Sequence, residues 1–341
     1  MRTIMEVESN EHSFAEGLLM VAAQVTEIRC KSLINRVNAP DYHFRWTINP
    51  YRGCRHACRY CYARSTHQYW GMDAGVDFER QIFAKVNAPA VLREELSRPK
   101  WCGEPIVIGT ASDPYEPAEA QYRLTRQILE VMAEFRNPAS ITTKGTLARR
   151  DVDVLRRLNE AAGVQVVFSV GTIDETVWRQ TEPGAPHPVA RLETMQYLVE
   201  HGIPAGVLAA PLLPGLSDGA DSIDALVAAA ARHRAQFLSG NLLFLRPGSR
   251  EWFMPFIRES YPHLAPGYAR LYGSEHAPRD YTNAVLALVD DARLRWELPR
   301  MPSVKSLRPA TLPGFAELDD QSPLMGLDPE APTQLELPMA A

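Results

Sequence analysis

An α/β fold built on an open, partial (β/α)6 barrel is predicted by the alternation of short β-branched runs with amphipathic stretches, and by the number of those units. The runs PIVIGTA, ASITTKG, VQVVFSVGT, PAGVLAAPLL and FLSGNLLFL are separated by helical patterns such as AVLREELS and DVDVLRRLNEAA. Each run is short and apolar, as strands buried on both faces are, and the intervening patterns supply the crossovers that a parallel sheet needs. A further strand in RWTIN brings the number to about six βα units, short of the closed eightfold barrel. The chain then divides into an N-terminal extension (1–44), the barrel (45–250), a C-terminal helical cap (251–302) and a tail (303–341). In the cap, REWFMPFIRESYPHLAPGYARLY is aromatic-rich and helical, and Trp252, Phe253, Phe256 and Tyr261 read as packing residues. From Ser303 onward proline, glycine and acid dominate and periodicity disappears, so a disordered tail is expected.

With 341 residues and 45% hydrophobic content, the chain can bury one large core. Its formal net charge of -5 argues against coating nucleic acid by bulk electrostatics. The charge is unevenly placed, however. No Lys or Arg follows Arg308, whereas Glu317, Asp319, Asp320, Asp328, Glu330 and Glu336 all do, which leaves the body near +1 and a local basic patch free to meet nucleic acid. The start, MRTIMEVESNEH, is acidic where a signal peptide is basic, and no apolar run approaches a membrane span, so a cytoplasmic protein without a membrane partner is expected. The tail ends in QLELPMAA, where Gln334, Leu335, Leu337 and Met339 resemble the short peptides that dock on the bacterial sliding clamp. An inert solvated tail is the alternative.

Five cysteines is an odd number, and three of them crowd into eight positions, which favours a metal site over a disulfide framework. Cys30 and Cys102 read as inert thiols. The segment NPYRGCRHACRYCYAR sets Cys54, Cys58 and Cys61 at C-x3-C-x2-C directly after a strand. Iron-sulfur clusters are normally held by four thiolates, so three in one loop leave one iron of a 4Fe-4S cluster open. An open iron can chelate the amino and carboxylate groups of S-adenosylmethionine (SAM) and pass one electron to its sulfonium. The competing reading is structural zinc with His56 or a distant residue as fourth ligand, in a nucleic-acid-binding module without catalysis. Arg52, Arg55, Arg59, Arg64 and His56 interleave with Tyr51, Tyr60 and Tyr62. They suit a phosphate-bearing, base-stacking substrate, or they solvate the loop and lower the charge of the cluster.

Strand ends place further polar residues on the side of the cysteine loop: Thr110, Ser112 and Asp113, then Lys144, then Ser169 and Thr172, then Pro211 to Pro214, then Arg246. Through KSLINRV, NPYRGCRHACRYCYAR, GTASDPYEPAEAQYRLTRQILEVM, TTKGTLARRDVDVL, FSVGT, EPGAPHPVARLETM and APLLPGLSD, the sequence resembles the radical SAM superfamily, and within it the spore photoproduct lyase-related branch. The resemblance implies a partial (β/α)6 barrel, a 4Fe-4S cluster on Cys54, Cys58 and Cys61, reductive cleavage of SAM to a 5'-deoxyadenosyl radical, and a one-electron donor such as flavodoxin or ferredoxin. It implies a lyase-like enzyme of DNA repair, with nucleic acid as the leading substrate and RNA, a peptide or a small metabolite as alternatives. Tyr60 would lie near the SAM adenine, and Lys144 and Ser169 would hold its carboxylate and other polar groups. Thr110, Ser112 and Asp113 would border the cofactor, and Tyr60 and Tyr62 would assist catalysis. In the lyase a cysteine just before the Ser-Asp pair returns a hydrogen atom to the product radical. Thr110 or Ala111 stands there in this chain, so repair of spore photoproduct itself is not expected.

Overall fold

The computed structural model describes residues 23–37 and 44–308. Its strands are β1 (Gln24–Ile28), β2 (Asn35–Arg36), β3 (Trp46–Ile48), β4 (Tyr51–Arg52), β5 (Gln81–Lys85), β6 (Ile106–Ile108), β7 (Ala139–Thr143), β8 (Val164–Ser169), β9 (Ala205–Leu212) and β10 (Leu238–Leu242). Seven form the main sheet in the order β10-β9-β8-β7-β6-β3-β2. The six from β3 to β10 are parallel and coincide with the six apolar runs; β2 adds antiparallel to β3 at the edge. With β10 and β2 at opposite ends, the sheet is an open barrel of six βα units.

Burial explains why these runs are strands. Every residue of β8 is buried, and Ile106, Ile108, Ile141, Val164, Val166, Phe168, Ala205, Val207 and Leu238 are wholly enclosed, as expected for a parallel sheet covered by helices. The polar Gln165 is accommodated because its amide donates to Ser140 Oγ on the neighbouring strand at 3.0 Å. The predicted helical patterns form Ala88–Leu96 and Val152–Ala161, with further crossovers at Leu124–Glu134, Pro188–Glu200 and Ala220–Arg232.

A second, three-stranded sheet has the order β1-β5-β4. Its strand β1, like β2, falls in the stretch taken as an extension, and β1 pairs in parallel with β5 from Gln24↔Gln81 to Ile28↔Lys85. This sheet matters to function because β4 runs directly into the cysteine loop.

The cap consists of helices Ser249–Ser260 and Ala265–Leu271, with Phe253, Met254, Ile257, Tyr268 and Tyr272 buried. A third helix of the same stretch, Arg279–Arg295, packs on β10 and on helix Ala220–Arg232, and so completes the barrel wall. The boundary expected at Ser303 is too early. A 3-10 turn forms over Val304–Ser306, and Val304 and Leu307, spaced so that both face the same way, are buried against Val107. The peptide around Gln334, Leu335, Leu337 and Met339 lies outside the described residues. No helix among the described residues is long and apolar enough to cross a membrane.

Candidate active site

The cysteine loop leaves β4 through Gly53, at φ 76°, where a Cβ would stand 2.8 Å from the Gln81 carbonyl oxygen; only glycine allows the chain so close to β5. The Cys54 N–H then donates to the Phe78 carbonyl at 3.0 Å. Cys54 and Cys58 are buried, Cys61 is half-buried, and all three are free thiols. Burial pushes the Cys58 thiol up to about 12 despite the nearby Lys144, so holding a metal there requires loss of its proton.

Arg64 is the anchor of the loop. It is fully buried and donates to the Cys58 carbonyl twice, at 2.9 and 2.8 Å, to the carbonyls of Ala74 and Gly75 at 3.2 and 3.0 Å, and to Glu79. Arg52 donates to the Thr66 carbonyl and lies 4.5 Å over the Trp70 ring. Arg55 pairs with Glu116 at 3.3 Å. Three of the four loop arginines are therefore consumed by the fold. Arg59 has neither an ion pair nor a side-chain hydrogen bond among the described residues; its guanidinium lies 5.8 Å over Trp252 and 5.9 Å over Phe256 of the cap.

The DPYEPAE segment after β6 grips the loop from beneath. Asp113, Glu116 and Glu119 recur every third residue; Glu116 and Glu119 are fully buried and Asp113 nearly so. Asp113 takes His56 Nδ1 at 3.3 Å, Glu116 takes Arg55, and Glu119 accepts the Tyr51 hydroxyl. Asp113 also accepts from Thr143 Oγ1 at 2.6 Å, the Lys144 N–H at 2.7 Å and the Tyr115 N–H at 2.8 Å. Burial works against its charge, but His56 and these donors hold the carboxyl at about 2. Ser112 donates to the Gly53 carbonyl at 2.6 Å.

A second network lies at the ends of β7 and β8. Lys144 Nζ donates to Ser169 Oγ at 2.7 Å and stands 5.6 Å over the Tyr60 ring. Ser169 Oγ donates in turn to the Ala210 carbonyl at 2.8 Å. The Tyr60 hydroxyl donates to Glu182, whose other oxygen pairs with Arg191; both residues are buried. Burial opposes the Glu182 charge, yet Arg191 and Lys144 hold its carboxyl below the usual range. Two residues on, Gly184 N–H donates to the His56 carbonyl at 3.0 Å, and a Cβ there would meet the Arg55 carbonyl oxygen at 2.0 Å.

The structure thus brings Tyr60, Lys144 and Ser169 together beside the three cysteines. Ser112 and Asp113, expected to border the cofactor, have their polar atoms taken up inside the scaffold and act on the site through the loop and through Lys144. Tyr62 is partly exposed and donates to the Thr110 carbonyl; the Thr110 hydroxyl accepts from Asn49 Nδ2 at 3.2 Å. Glu182 and Arg191 were not singled out from the sequence, although both lie in the EPGAPHPVARLETM block.

The donor set favours a cluster over zinc. His56 is engaged by Asp113, and among the described residues no three His, Cys, Asp or Glu side chains are gathered closely enough for a single ion. A cubane spaces its cysteine ligands more widely. Cys102 is exposed on the loop before β6, at the strand end opposite the site, and the Cys30 backbone is held by Asn87. Three free thiols on one loop, with Lys144 and Ser169 alongside, fit a 4Fe-4S cluster with a chelated cofactor.

An open six-stranded barrel carrying three thiols above its C-terminal edge defines an enzyme that generates radicals. The chain belongs to the radical SAM superfamily, whose family model matches residues 48–226, and members of that superfamily use a 4Fe-4S cluster and SAM. Uncharacterised proteins of Mycobacterium bovis and Mycobacterium tuberculosis are each 41% identical over 247 residues, 72% of this chain and 73% of theirs. In fold, the chain is similar to a substitution variant of spore photoproduct lyase with bound SAM and dinucleoside spore photoproduct, at a TM-score of 0.62 and 15% identity, covering 80% of this chain and 79% of that one. A complex of the lyase with the dinucleoside gives 0.60 and 16%, with the same coverage.

Proposed function

We propose that this radical SAM enzyme acts on a nucleic acid, in a lyase-like reaction related to lesion repair, with an electron donor such as flavodoxin or ferredoxin. The observation that carries the reading is the pairing of free cations with ring faces on the cluster side of the barrel. Arg59 lies over Trp252 and Phe256, and Arg246, beyond β10, lies 5.8 Å over Phe244, which stacks on His276 at 4.5 Å and 25°. Neither arginine has an ion pair among the described residues. Cations held against aromatic faces suit a polymer of phosphates and bases. The fold likeness to spore photoproduct lyase, which extends beyond the family core, supports the same class.

When bound, the cluster and SAM supply hydrogen-atom abstraction. The chain's own residues then bind and shield. Lys144 and Ser169 offer a cation and a hydroxyl to the cofactor, the cap covers the loop through Ser249 Oγ donating to the Cys61 carbonyl at 2.8 Å, and Tyr62 stands at the exposed edge. Thr110 is no substitute for a thiol as hydrogen donor, because an aliphatic O–H bond is much stronger than S–H. Spore photoproduct is therefore not the preferred substrate. The test is trapping: reduced, reconstituted enzyme with SAM deuterated at the 5' carbon is incubated with cellular DNA, RNA and peptide pools. Deuterium carried from SAM into nucleosides supports the reading; label confined to peptides or small metabolites overturns it.

A further inference from the structure

Lys144 is a cation beside the cluster loop, and a buried carboxylate, Glu182, stands 3.9 Å from it. Left alone, such a carboxylate would draw the ammonium into an ion pair and withdraw it from any ligand. Arg191 weakens this pull: it holds Glu182 in the closer pair and leaves the Lys144 contact long, at the edge of an ion pair. Itself fully buried, it donates to the Pro186 carbonyl at 2.8 Å, to the Ser169 carbonyl at 3.0 Å and to Glu182. The remaining Glu182 oxygen accepts the Tyr60 hydroxyl. Both carboxylate oxygens are thereby occupied, and Lys144 makes its short bond to the neutral Ser169 hydroxyl, with two donors to spare.

We infer that Glu182 and Arg191 are a positioning pair for SAM: Arg191 neutralises Glu182 so that Lys144 stays available to the carboxylate of the cofactor, and Glu182 pins the Tyr60 ring against which Lys144 rests. The three charges sum to +1, matched to one carboxylate. Neither residue needs to touch the cofactor, and the inference holds for any substrate.

The experiment measures SAM binding to reconstituted protein by equilibrium dialysis, the change that SAM produces in the EPR spectrum of the reduced cluster, and thermal melting. In Arg191→Met, Glu182 captures Lys144 and the Kd for SAM rises about tenfold or more. Adding Glu182→Gln removes the competitor, and the double variant returns to within about threefold of the unmodified Kd, with the EPR change restored. An unchanged Kd in Arg191→Met overturns the inference, as does a double variant that melts normally yet fails to recover SAM binding. Should Arg191→Met not fold, Tyr60→Phe decides, since it removes only the phenol contact with Glu182. A rise of about threefold or more in Kd is expected, and an unchanged Kd overturns the pair's role.

Discussion

Replacing Asp113 by asparagine keeps the shape of the side chain and removes the charge around which four donors are arranged: Thr143 Oγ1, the Lys144 and Tyr115 N–H groups, and His56. An ordinary aspartate titrates at about 3.9, whereas this one is held at about 2, a difference worth roughly 2.5 kcal/mol at neutral pH. That matches the ~1.5–3 kcal/mol typical of hydrogen bonds to a charged group. The sign follows from the direction of the shift. Because folding favours the ionised form, the stabilisation is complete above about pH 5, falls to roughly half by pH 3, and disappears below pH 2. Urea unfolding of the cluster-free protein under reducing conditions should therefore place Asp113→Asn about 2–3 kcal/mol below the unmodified protein at pH 7, with the gap narrowing as pH drops below 4. Since Asp113 also holds the Lys144 backbone, the reconstituted variant should bind SAM more weakly. A variant within about 0.5 kcal/mol of the unmodified protein at pH 7, or a gap that widens on acidification, would show that the Asp113 charge does not stabilise the fold.

Reduced, reconstituted protein should convert SAM to 5'-deoxyadenosine and methionine, and Cys54→Ala, Cys58→Ala or Cys61→Ala should each abolish the conversion together with the cluster absorbance; Cys30→Ala and Cys102→Ala should retain both. Turnover of spore photoproduct should be poor and should rise in Thr110→Cys, as product analysis by chromatography will show. Gly184→Ala should push the loop after helix Glu175–Thr181 off the Arg55 carbonyl and lower iron content after reconstitution without displacing any ligand; native iron and sulfide content would contradict the close-packing account. Arg64→Met leaves the carbonyls of Cys58, Ala74 and Gly75 without their donor and should cost about 3–5 kcal/mol in urea unfolding.

The six parallel strands were legible because each is a compact apolar run buried on both faces, a pattern that survives without knowledge of neighbours. The small sheet was not. In β1 only Val25 and Ile28 are even half-buried, β4 is two residues long, and QIFAK gains meaning only when both lie beside it. At the site, the cysteines and the strand-end Lys144 and Ser169 could be picked out by type and position. Glu182 and Arg191 could not, because a buried carboxylate and guanidinium nine residues apart look like any exposed helical pair until the barrel encloses them. The loop arginines illustrate the same limit. Arg52, Arg55, Arg59 and Arg64 are chemically identical in the sequence, and only the fold divides three structural anchors from one free cation. Val304 and Leu307 were lost among prolines and acids, since two apolar residues give no period.

The acidic ladder beneath the cysteine loop implies an order of events in the life of the enzyme. Asp113, Glu116 and Glu119 fasten His56, Arg55 and Tyr51 with contacts that involve no iron, so the socket takes its shape on folding and the metal arrives as cargo. A zinc finger that loses its ion collapses. In this scaffold, loss of the cluster would leave the loop still fastened at His56, Arg55 and Tyr51, and so open to refilling.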